Sequence, residues 1–231
     1  MTGAIALLSS GLDSTVAFKQ ALDTLGSVIC LTFDYGQRAA TIEIENAAAI
    51  CSKYGCEHHV IPLPWYRDFG GALTGTNELP KPSASDLDDL ERSEESARSV
   101  WVPARNMVFL SIAAAFAEEH GLEHIVVGFD AEEGATFPDN TPEFIELFDR
   151  VMEYGTMNHP AIFAPLADLD KEGIVRLGLK IQAPMEYSWS CYTAGPLPCG
   201  VCESCMRRKR AFSNVGVTDP LLARLGKLGK S

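Results

Sequence analysis

Strand-length apolar runs alternate with helix-length runs along most of this chain, and that alternation limits the fold more than any other feature. Ile5 to Leu8, Ser27 to Phe33, His59 to Leu63 and His124 to Gly128 read as strands. Between them, Asp13 to Leu25, Thr41 to Tyr54 and Val108 to His120 have helical character, the last two stopped by Gly55 and Gly121. Strands and helices in this order pair in parallel through right-handed crossovers, so the expected class is α/β with a doubly wound parallel sheet. In such a sheet, ligands sit at the carboxyl ends of the strands.

At 231 residues and 46% hydrophobic, the chain can bury one substantial core with a small appendage. Residues 1–188 are expected to form the α/β domain and 189–231 a C-terminal segment packed on it. Residues 66–99 interrupt the pattern with a long polar and acidic stretch, read as a loop insertion and a lid over the site. No apolar run is long enough to span a bilayer. With neither a basic n-region nor a cleavage site at its start, the chain is expected to be cytoplasmic, with no membrane partner. A net charge of -12, from 31 acidic against 19 basic residues, disfavours a nucleic-acid partner. The dense cationic run Arg207-Arg208-Lys209-Arg210 is the exception: a solvated helix face or a nucleic-acid site.

The first strand runs into Ser9-Ser10-Gly11-Leu12-Asp13-Ser14 and then directly into a helix. Small residues let backbone N–H groups turn towards a ligand, and the helix start adds partial positive charge, so an anion is favoured there. Asp13 could hold a magnesium ion bridging phosphates. The plainer alternative is that Asp13 or Ser10 only caps the helix.

Four of seven cysteines crowd into Cys191, Cys199, Cys202 and Cys205. Three closely spaced thiols and a fourth from the preceding loop suit a structural, tetrahedral Zn2+; a redox pair or an iron–sulfur cluster are the alternatives. Cys30, Cys51 and Cys56 sit in apolar or helical surroundings and read as inert.

Further candidates follow strand ends. Tyr35, Gln37 and Arg38 come after the second strand, either as a plain turn or as a site for nucleotide or substrate, with Arg38 able to bind an anion. Arg105 and Asn106 open a helix, where Arg105 could meet a phosphate or carboxylate. Asp130, Glu132 and Asp139 could grip the edge of a guanine-like base, or form an acidic loop in an acidic protein. Lys171, preceded by Asp168 or Asp170 as helix cap, carries the wrong charge for a helix start, which favours an anionic ligand nearby. The five histidines form no ligand or triad pattern.

The phosphate loop resembles the S-G-G-x-D-S signature of PP-loop ATP pyrophosphatases (adenine nucleotide alpha hydrolase-like), with Ser10 in place of the first glycine. That resemblance implies ATP split to AMP and diphosphate through an adenylated intermediate. Extended along the chain, the series F-D-Y-G-Q-R, V-P-A-R-N, G-F-D-A-E, P-D, P-L-x-x-x-x-K and W-S-C-Y with C-G-x-C-x-x-C is similar to the 7-cyano-7-deazaguanine synthase (QueC) family. The resemblance implies a carbon–nitrogen ligase that turns 7-carboxy-7-deazaguanine and ammonia into the nitrile with two ATP. It implies ATP at Leu7, Leu8, Ser9, Ser10, Gly11, Leu12, Asp13, Ser14, Thr15, Val16 and Ala17, with Asp13, Lys171 and Arg105 catalytic. It also implies Zn2+ on the four cysteines, Mg2+ with the nucleotide, and a homodimer. The stretch from Glu133 to Thr141 departs from the family's aromatic/serine/glycine run and P-D-C-R. A PP-loop tRNA-thiolating enzyme is the alternative within the same superfamily; it would need a basic surface and a reactive cysteine pair. A zinc-knuckle nucleic-acid module, built on Cys199 to Arg210, is the non-enzymatic alternative.

Overall fold

A computed structural model describes residues 3–228. Five strands form one sheet: β1 (Gly3–Leu7), β2 (Ser27–Asp34), β3 (Glu57–Pro62), β4 (His124–Val126) and β5 (Ala161–Phe163). Their spatial order is β3-β2-β1-β4-β5, and every neighbouring pair is parallel. The helices are α1 (Leu12–Leu25), α2 (Ala40–Tyr54), α3 (Leu90–Val100), α4 (Arg105–His120), α5 (Ala131–Gly134), α6 (Pro142–Gly155), α7 (Lys171–Lys180), α8 (Glu203–Val215) and α9 (Pro220–Leu228).

The period-2 geometry of β1 explains the layers. Ala4, Ala6 and Leu8 face a core built with Phe18, Ile50, Ile174 and Phe212 of α1, α2, α7 and α8. Ile5 faces the opposite core, with Leu110, Ala113, Phe148 and Met152 of α4 and α6. Both faces of the sheet are therefore buried, as parallel sheets require. Leu110 is fully buried, and its truncation to alanine should cost about 2–5 kcal/mol.

The α/β class and the parallel sheet agree with the sequence expectation, but two elements do not. β5, three residues between Pro160 and Pro165, was not expected. The acidic stretch within 66–99 is not a featureless loop: Asp89 caps α3 by accepting from the Arg92 N–H at 3.2 Å, and Ser93, Ser96, Ala97 and Val100 form its buried face. No single described helix is long and apolar enough to cross a membrane.

The order of strands reverses between β1 and β4, so the connections after these two strands diverge to opposite faces and leave a crevice. Gly128 is what lets them meet. A Cβ there would lie 2.7 Å from the Ser14 nitrogen and 2.9 Å from the Asp13 carbonyl carbon. The end of β4 and the first turn of α1 thus approach to a distance only glycine permits.

Candidate active site

A cavity of about 250 Å³ opens at that crevice, lined by the phosphate loop, the ends of β2 and β4, the start of α4 and Trp189, Ser190 and Tyr192. Leu7, Leu8, Ser9, Gly11, Leu12, Asp13 and Ser14 reach it. Ser10, Thr15, Val16 and Ala17, expected at the nucleotide, are buried beneath it and pack the interior face of the loop and α1.

The loop is shaped for an anion. α1 begins after Gly11, an N-cap residue with no side chain to accept from the first-turn N–H groups, so neither Ser10 nor Asp13 acts as a helix cap. Ser9 Oγ and Ser14 Oγ lie 3.1 Å apart across the loop, and Ser9 Oγ accepts from the Gly11 N–H. Ser10 takes the left-handed conformation, φ 57°, that a glycine adopts without strain. Its carbonyl accepts from the Trp189 N–H at 2.6 Å, while its buried hydroxyl has no partner.

Beside the loop lies a cluster of charge. The Lys171 ammonium sits 2.8 Å from Asp13 Oδ2, 2.7 Å from Asp130 Oδ2 and 3.3 Å from Glu133 Oε1. Burial alone would lower its pKa; the carboxylates of Asp13, Glu133 and Asp130 outweigh that and hold it well above the usual lysine value. Burial pushes Asp130 up to about 7, with the Glu133 charge adding to the rise. Asp13 Oδ1 is buried without a partner, and oxygens of Asp13, Asp130 and Glu133 lie within 4.8 Å of one another.

This arrangement corrects three expectations. Lys171 does not stand free for an anionic ligand, because three carboxylates hold it; the helix start it occupies is capped by Asp170, which accepts from Gly173 N. Asp130 does not reach outward for a base edge. Its Oδ1 accepts from the N–H groups of Glu132 and Glu133, and its Oδ2 meets Lys171. Glu132 is likewise engaged, accepting from Lys171 N and pairing with Arg207 at 3.0 Å.

Arg105 and Asn106 project from the start of α4 into the cavity. Ala104, at φ 53°, turns the chain into the helix without a side-chain cap. Arg105 donates to the Tyr35 hydroxyl at 3.2 Å, and Asn106 Nδ2 donates to the Asp139 carbonyl at 3.5 Å. Burial raises the Asp139 pKa despite the opposing Arg105 charge, and the Asp139 carboxylate accepts from Asn140. Tyr35 and Gln37 line the cavity; Arg38 does not. Its guanidinium bonds the carbonyls of Gly75 and Asn77 and so ties down the 66–99 segment, of which Leu73 alone among the described residues reaches the cavity wall. The segment is braced against the body rather than spread over the site as a lid.

Sequence reading missed several lining residues. Glu43, in the first turn of α2, has a carboxyl pushed up to about 7 by burial, against the lowering influence of Gln37 and Arg105. Phe33 and Phe109 stack with ring centres 3.9 Å apart. Glu133, from the acidic stretch after β4 that the sequence already singles out, completes the walls with Asn140, Ser190 and Tyr192. The W-S-C-Y motif held the signal for the last two, but its cysteine drew attention to the metal alone.

The four sulfurs of Cys191, Cys199, Cys202 and Cys205 lie within 4.8 Å of one another. The Cys199 N–H points at Cys191 Sγ and the Cys202 N–H at Cys199 Sγ, at 3.3 and 3.4 Å. Four converging thiols with amide donors to sulfur fit a tetrahedral zinc. The three arginines of the following basic run are paired, Arg207 with Glu203 and Glu132, Arg208 with Asp219, and Arg210 with Asp88, which leaves Lys209 exposed to solvent. Ser96 also donates to Glu203, which joins α3 to α8.

A parallel sheet with a glycine-serine phosphate loop at its switch point defines the class as a PP-loop protein of the adenine nucleotide alpha hydrolase type. The particular branch is set by sequence: the chain belongs to the QueC family, described as queuosine biosynthesis protein QueC, whose family model matches residues 3–216. It is 48% identical over 232 residues to the 7-cyano-7-deazaguanine synthase of Methanosarcina mazei, covering 96% of this chain and 99% of that one. The synthase of Methanobrevibacter smithii is 49% identical over 221 residues, covering 94% and 96%.

Proposed function

We propose that this chain makes 7-cyano-7-deazaguanine from 7-carboxy-7-deazaguanine and ammonia, splitting ATP to AMP and diphosphate. One observation carries the reading: an uncapped helix start with its serine loop opens on the same cavity as Arg105, in a chain nearly half identical from end to end to enzymes of that name.

The chemistry follows from the need to make oxygen a leaving group twice. The substrate carboxylate attacks the α-phosphorus and diphosphate departs; ammonia then displaces AMP to give the amide. The amide oxygen attacks the α-phosphorus of a second ATP and expels diphosphate, and loss of AMP together with the two amide protons leaves the nitrile. Residues 9–14 hold the diphosphate end through backbone N–H groups and serine hydroxyls. Arg105 offsets charge that develops at the carboxylate and phosphate, a preorganised donor held by Tyr35. Lys171 fixes Asp13, and the unpartnered Asp13 Oδ1 can ligate a magnesium ion carried by the nucleotide. Zinc on the four thiolates would supply structure, bracing the Trp189–Tyr192 segment against the phosphate loop.

The neutralised arginines of α8 support a small-molecule substrate and no nucleic-acid partner. Leu147, Val151 and Tyr154 form an exposed apolar row on α6, with Met157 just beyond, which supports a homodimer. The reading locates the enzyme with its ATP in the cytoplasm. Incubation with 15N-ammonium, ATP and the carboxylate tests it: the expected product is a nitrile carrying the label, and salt-sensitive tRNA binding with sulfur transfer would favour the thiolating alternative instead.

A further inference from the structure

The proposed reaction leaves unanswered which residue recognises the end of the ring system remote from the carboxylate. We propose that Glu43 reads the pyrimidine edge of the substrate, accepting from its ring N–H and from its exocyclic amine. The inference rests on the function proposed above and adds the specificity determinant.

Glu43 keeps one face on the cavity, and its orientation is fixed from behind. Gln37 Nε2 donates to Glu43 Oε2 at 2.8 Å and to the Phe33 carbonyl at 2.9 Å, while Gln37 Oε1 accepts from Tyr35 N at 3.0 Å. The buried amide is thus fully committed, and the carboxylate it holds cannot swing away. Glu43 Oε1 has no hydrogen bond among the described residues and is not sealed from the cavity. Of the other carboxylates on the cavity wall, Asp13 and Glu133 are drawn onto Lys171. Glu43 is the one on that wall bonded to no cation among the described residues.

The surroundings suit a flat ring. Phe33, Tyr35 and Phe109 line the cavity around Glu43, with Phe33 and Phe109 stacked and Tyr35 5.5 Å from Phe109. A guanine-like edge presents two adjacent donors, which match two carboxylate oxygens. The two donors favour the ionised form of a carboxyl that burial pushes up to about 7, whereas adenine, an amine beside a ring acceptor, would set its acceptor against that ionised carboxylate. In its ionised form the residue therefore separates the substrate from the nucleotide's own base.

The test compares 7-carboxy-7-deazaguanine with its analogue in which hydrogen replaces the 2-amino group, on the zinc-loaded full chain and on its Glu43→Gln variant. The expected wild-type kcat/KM for the analogue is lower by about 10²-fold, the loss for leaving a charged acceptor unpaired. Glu43→Gln should lose on the order of 10²-fold with the full substrate and discriminate less than 10-fold, with KM for ATP within about 2-fold of wild type. Thermal melting and zinc content check that the variant is folded, and the wild-type comparison stands without it. Equal use of both compounds by the wild type, or a rise in KM for ATP rather than for the deazaguanine, overturns the role of Glu43. Absence of nitrile from the full substrate overturns the underlying reaction and this assignment with it.

Discussion

The Trp189 N–H donates to the Ser10 carbonyl at 2.6 Å, joining the start of the cysteine-rich segment to the middle of the phosphate loop. Trp189 is itself buried with Cys191, Cys202, Cys205 and Leu221. The cysteine-rich segment and the glycine-serine loop are therefore one mechanical unit.

Loss of one thiolate should consequently be felt at the loop. Cys202→Ser is expected to lose zinc, and to weaken ATP binding at least 10-fold, although Cys202 does not line the cavity. Metal analysis with calorimetric titration of ATP checks both. Unchanged ATP affinity in the zinc-free variant would show that the loop holds its shape alone.

Ser10 occupies a left-handed position with an unpartnered buried hydroxyl. Glycine removes both penalties, at the cost of a more flexible unfolded chain. Ser10→Gly should therefore be more stable by about 1 kcal/mol in urea denaturation and retain turnover, whereas Ser10→Val should be destabilised.

Gly128 should not tolerate a methyl group. Gly128→Ala must push the first turn of α1 away from β4, since backbone atoms lie in the way. Misplacement of the loop by even part of an ångström should lower kcat/KM by about 10²-fold. Steady-state kinetics at saturating ammonium measures it.

Removal of the ammonium from its three carboxylates leaves Asp130 buried and unpaired. Lys171→Met should lose turnover and about 3 kcal/mol of stability at neutral pH. Without Lys171, the Asp130 pKa rises above its present value of about 7, so the ionised form is penalised at higher pH. The deficit relative to wild type should then shrink as pH falls towards 5 and Asp130 takes up a proton. Denaturation of both proteins across that range reads the difference.

The phosphate loop and the four cysteines were legible because each lies within one short stretch and its chemistry is local. The charge cluster was not: residues 13, 130, 133 and 171 meet only when β1, β4 and α7 converge, so Lys171 looked free and Asp130 looked outward. β5 was hidden by its length of three residues between prolines. α3 was hidden because two of the four residues on its buried face are serines, which read as loop polarity; their partners, Arg207 and Glu203 on α8, are remote in sequence. Arg38 had the right charge for an anion, but its turn points it at the carbonyls of Gly75 and Asn77.

Attack of substrate oxygen on the α-phosphorus is the claim on which the rest depends, and isotope transfer tests it most directly. With both carboxylate oxygens labelled as 18O, turnover to the nitrile should yield AMP carrying one label per molecule and unlabelled diphosphate. Label in diphosphate or orthophosphate, or ADP as the nucleotide product, would contradict the account.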